Sequence, residues 1–191
     1  MNMKKIILIT ALVIFTAHAG FSQVFGKGQQ AINIGIGIGH TDFMKEYYSG
    51  FFPSISASYE YGVAEFPMGA ELDGVIGVGA YLGWAMSYYG SIYGLNSDDF
   101  RENRFHIAAR GNYHFVFHDK LDPYAGLQVG VNIPTFSYIG EGDEPDLSKP
   151  DTEPLGGIYV GARWHFNDQL SAYAELGYLI SVLNFGVSIK L

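Results

Sequence analysis

Ala31-Ile-Asn-Ile-Gly-Ile-Gly-Ile-Gly39 alternates bulky and empty positions with a period of two. In a β-strand successive side chains point to opposite faces. Ile32, Ile34, Ile36 and Ile38 therefore share one face, and Asn33, Gly35, Gly37 and Gly39 the other. A soluble sandwich fills its interior with the bulky face. Here the bulky face is continuous and the other nearly empty, which suits a strand with lipid on one side and a narrow interior on the other.

The pattern recurs. Ile55, Ala57, Tyr59 and Tyr61 oppose Ser54, Ser56, Ser58 and Glu60. Ile76 to Trp84, Phe105 to Phe115, Ala125 to Ile133, Ile158 to Phe166, Leu170 to Tyr178 and Leu183 to Leu191 alternate likewise. Within these segments the charged residues fall on the Gly/polar face, the reverse of a soluble barrel. The count is eight, and the even number leaves both chain ends on one side, as in single-chain membrane barrels. About ten residues suffice for a tilted strand to cross a bilayer, and closure pairs every backbone polar group where no water can. The expected fold is all-β: a closed antiparallel eight-stranded transmembrane β-barrel.

The first residues read as a secretory signal. Lys4 and Lys5 precede an apolar run from Ile6 to Phe15, and Ala17-His18-Ala19 offers a cleavage site. A second cut after Ser22 is equally readable, so residues 1–22 are assigned to the signal and 23–191 to one barrel domain. A buried N-terminal helix is the plainer alternative. The chain has 191 residues, no cysteine and a formal charge of −8. That balance argues against nucleic-acid binding, which needs clustered Lys and Arg.

Connection lengths alternate. Gly62–Pro67, Val116–Lys120 and Asn167–Gln169 are short; His40–Phe52, Ala85–Asn103 and Pro134–Pro154 are long. Short periplasmic turns and long external loops are usual, which places both chain ends in the periplasm. The link from Leu179 to Val182 is expected as a short external hairpin. Tyr59, Tyr61, Tyr113, Phe115, Trp164 and Phe166 end three descending strands and form an expected aromatic girdle at the periplasmic rim, with Trp84 and Tyr178 marking the outer rim.

The final strand, Asn184-Phe-Gly-Val-Ser-Ile-Lys-Leu191, resembles the C-terminal assembly signal of outer-membrane barrels. Asn184, Gly186, Ile189 and Leu191 match it, with Leu in place of the commoner terminal Phe. Pro123-Tyr-Ala-Gly126, Gly161-Ala-Arg-Trp-His-Phe166 and Ala174-Glu-Leu-Gly-Tyr178 resemble strands of small OmpA/OmpX-like barrels of the porin superfamily. The resemblance implies a Gram-negative outer-membrane location, with lipid, lipopolysaccharide and the barrel assembly machinery as partners. It is specific for architecture and weak for function.

Gly35-Ile-Gly37-Ile-Gly39 lacks the spacing of a nucleotide-binding glycine loop. Six histidines fall in no metal-ligand spacing, and His106, His114 and His165 read as inward hydrogen-bonding groups. No metal or cofactor is expected. Lipid A acyl-modifying enzymes occur on small barrels and need a nucleophile near His and an acid. No His-x-Ser arrangement is present on any strand, and Ser54, Ser56 and Ser58 read as small fillers, so no catalytic residues are assigned.

Glu60, Asp73, Arg110, Arg163, Glu175 and Lys190 face inward, three acids and three bases. Buried charges must be paired, so these six are expected to form a network that plugs the lumen. The acidic stretch Glu141 to Glu153 reads as a hydrated loop, with calcium or lipopolysaccharide counter-ions as the sharper alternative. The tyrosines of Ala85–Asn103 serve either as contact anchors or in a hairpin raised above the membrane. The functional reading is a structural or surface-interaction protein with specificity in its long loops and a surface protein partner unidentified. A narrow channel and a lipocalin-like soluble ligand carrier are the rivals.

Overall fold

The computed structural model describes residues 25–39, 48–66, 73–89, 100–116, 119–138 and 151–191. The signal assigned to residues 1–22 lies outside them. Eight antiparallel strands close into one barrel, each bonded to its chain neighbours and β1 to β8. They are β1 (Gln30–Ile38), β2 (Tyr48–Glu65), β3 (Asp73–Tyr89), β4 (Phe100–Val116), β5 (Leu121–Tyr138), β6 (Glu153–His165), β7 (Leu170–Gly177) and β8 (Leu183–Lys190).

The register fixes which face is which. Ile32, Ile34 and Ile36 stand opposite Tyr59, Ala57 and Ile55 on β2 and Ile189, Val187 and Phe185 on β8. These form a continuous apolar exterior, and Leu82, Ile107, Val129, Ile158 and Leu176 continue it exposed around the barrel. The interior holds Glu60, Arg110, His114, Asp122, Arg163 and Glu175, all buried. Apolar outside and charged inside is the polarity that lipid selects. A lipocalin-like carrier would show the opposite.

The wall is uneven. β2 to β5 run 17 to 18 residues, whereas β1, β7 and β8 run 8 to 9. A tilted transmembrane strand needs roughly 9–11 residues, so four strands overshoot. The start of β1 and the end of β8 meet at one rim, here the terminal rim, where the Leu191 amide donates to the Gln30 carbonyl at 3.0 Å. The overshoot is therefore at the opposite, distal rim. There β1 stops pairing with β2 at Gly37–Ser54, and β5 stops pairing with β6 at Asn132–Glu153.

This corrects the bounds of four connections. Residues 85–89 and 100–103 of the expected loop Ala85–Asn103 are strand, since β3 and β4 pair from Ala85–Arg104 out to Tyr89–Phe100; residues 90–99 lie outside the described ones. The segment expected to begin at Pro134 continues in β5 to Tyr138, paired with β4. β2 likewise starts at Tyr48 rather than after Phe52, and on the other rim it runs through Gly62 to Glu65. The prolines obscured this. Proline lacks the N–H of a ladder bond and is tolerated at edges and bulges. Pro134 lies past the end of the β6 pairing, and Pro53 at a register shift between Phe52 and Ile55.

Closure depends on β8 lying flush against β1. A Cβ on Gly186 would stand 2.1 Å from the Ile34 carbonyl oxygen and 2.6 Å from the Gly35 Cα. Gly186→Val is therefore expected to block the β1–β8 seam. The refolded variant should lose the heat-modifiable mobility of a closed barrel on unheated gels, while Ser188→Ala, in the same strand, keeps it.

Candidate functional site

Along β2 the inward positions run Ser54, Ser56, Ser58, Glu60 from the distal mouth downward, so one acid follows three small hydroxyls. The Glu60 carboxylate fits because β3 offers a glycine there: a Cβ on Gly77 would lie 2.2 Å from Glu60 Oε1. β4 supplies Arg110, Asn112 and His114, β5 Asp122 and Tyr124, β6 Tyr159 and Arg163, and β7 Glu175.

Two linked groups form. In the lower one the His114 ring bridges two carboxylates, Nδ1 at 2.7 Å from Asp122 Oδ1 and Nε2 at 2.6 Å from Glu60 Oε1. A neutral imidazole has one N–H; donating to both acids makes this ring an imidazolium. Arg163 closes the ring, with Nη1 donating to Asp122 Oδ2 at 3.3 Å and Nη2 to Glu60 Oε2. Two anions thus meet two cations. In the upper group Arg110 Nη2 donates to Glu175 Oε1 at 2.8 Å and its Nε to the Tyr159 hydroxyl at 2.7 Å. The Tyr124 hydroxyl adds a second bond to Glu175 Oε1 at 2.8 Å. Asn112 joins the groups, its Nδ2 donating to Glu60 Oε1 at 2.7 Å while its Oδ1 accepts from Tyr159.

Of the six charges expected in this network, Glu60, Arg110, Arg163 and Glu175 meet in it. Lys190 is half-buried nearer the terminal rim, and the Asp73 side chain lies outside the described ones. Sequence reasoning missed Asp122 and the charge on His114. Asp122 precedes the Ala125–Ile133 alternation; β5 starts earlier, at Leu121, which aims Asp122 inward opposite Arg163. Its two-residue spacing from Tyr124 was the available signal.

Both mouths carry stoppers. At the terminal rim Phe25 is buried, its ring 4.6 Å from that of His114 and 5.3 Å from the Arg163 guanidinium carbon. The Gly28 amide donates to the Gly62 carbonyl and the Gly62 amide to the Gln29 carbonyl, at 2.8 and 2.9 Å, holding this segment across the opening. At the distal rim the link after β7 is not an outward hairpin. Leu179 and Ile180 are 1% and 5% exposed. Leu179 packs on Tyr124 and Tyr159, and Ile180 on Tyr81, Ala108 and Leu155. Tyr178, expected on the outer rim, packs against that second cluster. Two apolar side chains gain about 1.5–3 kcal/mol each by burial, which turns the link inward.

The expected girdle residues lie on the outer face toward the terminal rim. Tyr59, Tyr61, Trp164 and Phe166 are exposed, while Tyr113 and Phe115 are partly covered, packing edge to face at 4.9 Å. Trp84 is half-buried, 6.2 Å from Phe52. In the terminal strand Ile189 and Leu191 point outward, and Asn184 inward, accepting from Ser181 Oγ at 3.1 Å. Among the described residues no cluster of three or more His, Asp or Glu is arranged to hold a metal ion.

Glu60→Ala is expected to destabilise the barrel by about 3–5 kcal/mol, because it leaves Arg163 and His114 to share the single buried carboxylate of Asp122. Arg110→Ala should fall in the same range by stranding Glu175. The double variant Arg110→Met/Glu175→Leu should cost less than Arg110→Ala alone, since it leaves no orphaned charge. Urea unfolding followed by the fluorescence of Trp84 and Trp164 measures all three.

No family model matches the sequence, and no curated relative matches it either. Solved structures similar to it include the N-terminal β-barrel domain of Pseudomonas aeruginosa OprF, with a TM-score of 0.46 and 14% identity over 87% of this chain and all (100%) of that one. The Yersinia pestis outer membrane protein Ail in a phospholipid nanodisc aligns with a TM-score of 0.42 and 12% identity, over 86% and 100% of the two chains. The crystal structure of Ail, the attachment invasion locus protein of that organism, gives 0.41 and 13% over 86% and 95%. By its own geometry, eight antiparallel neighbours closed on themselves with charges inside and an apolar exterior, the chain is a closed eight-stranded transmembrane β-barrel.

Proposed function

We propose that this chain is a non-enzymatic protein of the bacterial outer membrane that makes contacts at the cell surface. The observation that carries the reading is the division of labour along the barrel. The lumen is occupied by a neutralised charge network and stoppered at both ends, so nothing there resembles a substrate cleft. The part of the sheet exceeding what a bilayer needs is concentrated in β2 to β5 at the distal rim. Strand built beyond the membrane costs ordering entropy and adds no lipid-facing band, so its use lies outside.

In this reading the terminal rim is periplasmic and the raised sheet external. Phe52, Phe105 and Phe136 are exposed on that sheet, and aromatic side chains are frequent anchors of protein contacts. The acidic sequence Glu141–Glu153 lies between β5 and β6 in the chain, and divalent ions or lipopolysaccharide phosphates are the counter-ions its charge would call for. Residues 141–150 lie outside the described ones. Insertion calls for the barrel assembly machinery, with the Asn184–Leu191 strand as its recognition element.

The location is tested by fractionation: the protein should sediment with outer membranes, resist alkaline carbonate and require detergent. A detergent-free periplasmic monomer would refute it. The contact role is tested by photocrosslinkers at Phe52 and Phe136 in intact cells, expected to capture a partner that is lost when residues 90–99 and 139–150 are trimmed. Capture unaffected by trimming both loops counts against the loops as the contact site. A channel instead predicts large, sustained single-channel steps from the reconstituted protein, where this reading expects none.

A further inference from the structure

The wall has a notch beside the inward link. β6 is paired with β5 from Trp164–Leu121 up to Glu153–Asn132, but with β7 only from His165–Ser171 up to Tyr159–Gly177. The last bond on that side runs from the Tyr178 amide to the Ile158 carbonyl at 2.9 Å. Beyond it the chain leaves the ladder for the lumen. Gly157 permits this exit, since a Cβ there would lie 2.2 Å from the Tyr178 carbonyl oxygen. Backbone polar groups alternate sides along an antiparallel strand, so those of Ile158, Gly156 and Pro154 point to the β7 side. No described residue bonds to the Gly156 N–H and C=O or to the Pro154 C=O there. Pro154 has no N–H to leave unpaired, which suits an edge. Gly156 is exposed, and a Cβ on it would meet nothing within 4 Å, so this stretch of edge is unscreened.

The notch falls at membrane depth. With strands tilted by about 40°, each residue adds roughly 2.6 Å along the barrel axis. β7 and β8, of 8 residues each, therefore rise roughly 20 Å from the terminal rim, short of the apolar band of about 25 Å that membrane barrels present. β4, with 17 residues, clears that height. The outer wall is apolar up to the notch: Ile158 is 76% exposed, and Leu176 and Val182 are exposed on its lower border. Unpaired backbone groups are not tolerated against hydrocarbon. The hydrocarbon therefore cannot reach as high on this flank as it does along β2 to β5.

We propose that the notch is a lipid-headgroup site: beside β6, β7 and β8 the phosphate and glycerol layer of the distal leaflet dips below its level elsewhere around the barrel and bonds to the free edge of β6. A lipid phosphate accepts from the Gly156 N–H, and the hydrated headgroup donates to the Gly156 and Pro154 carbonyls. Acyl chains have no polar atoms to offer. The apolar wall of a second copy has its own backbone groups paired and offers none either. Glu153 shares the inward phase of Leu155, which keeps its carboxylate off the lipid side. The inference rests on the barrel spanning a bilayer and is independent of any contact at the raised sheet.

Solid-state NMR of the refolded chain in phosphatidylcholine bilayers tests the site without any substitution, because all the phosphorus present is in headgroups. The Gly156 amide should be dephased by lipid phosphorus and should exchange with deuterated water. The amide of Val129, opposite it in the ladder and within the paired wall, should do neither. A Gly156 amide that neither exchanges nor senses phosphorus would overturn the site. Exchange without phosphorus contact would mean that water alone fills the notch, and would overturn it equally. Nitroxide labels test the dip in a chain that has no cysteine of its own. Labels at Ile158→Cys and Val182→Cys should be about threefold or more as accessible to a water-soluble nickel chelate, relative to oxygen, as labels at Leu82→Cys and Val129→Cys on the raised flank. Equal accessibility on the two flanks, in variants that keep the gel mobility of a closed barrel, would show a level interface and overturn the dip.

Discussion

The Glu60–His114–Asp122–Arg163 ring is the constraint around which this barrel is arranged. Four ionic groups share a space with almost no exposure, and each has an opposite charge on either side. Such a ring is not a large net source of stability, since desolvation offsets most of the attraction. Its force lies in what it forbids. A one-residue slip between strands would turn one of these groups to lipid and strand the others. Five strands contribute to the combined network, so their registers are tied together through side chains as well as backbone.

Neutrality in the lumen also explains the small residues around it. Long and ring-bearing inward side chains need room, and glycines on the inner face supply it: Gly77 beneath Glu60, Gly126 beside Asn112 and Tyr159, Gly161 beneath Tyr124. The exterior needs no matching economy, because lipid conforms to whatever shape it meets. Inner and outer faces of one strand thus answer to different demands, a fixed volume on one side and hydrophobicity alone on the other.

That division set what was legible in the sequence. Period-two alternation exposed the strand count, the closure and the inward placement of Glu60, Arg110, Arg163 and Glu175, because side-chain phase is a local property. Strand ends were not legible where polarity stopped alternating. Beyond the membrane, residues such as Arg101, Glu102 and Arg104 pair as strand with no lipid to impose a pattern, and Pro134 read as a breaker although it lies past the end of the neighbouring strand. The inward turn was hidden for another reason. Leu179 and Ile180 read as ordinary hairpin residues, and only the tertiary packing on Tyr81, Tyr124 and Tyr159 gives them a place inside. Asp122 was missed because β5 begins before the Ala125–Ile133 alternation does.

The uneven wall gives the molecule a front and a back. A barrel of uniform height presents the same rim to every approach, whereas this one rises on the β2–β5 side and stays low along β7, β8 and β1. A partner engaging the raised sheet meets it from one azimuth, and the barrel's rotation in the plane of the membrane decides whether contact occurs. The low side, between β7 and β8, is where the inward link lies. Under the proposed contact role, the raised flank is the one a partner would hold, and the low flank the one left to lipid headgroups and solvent.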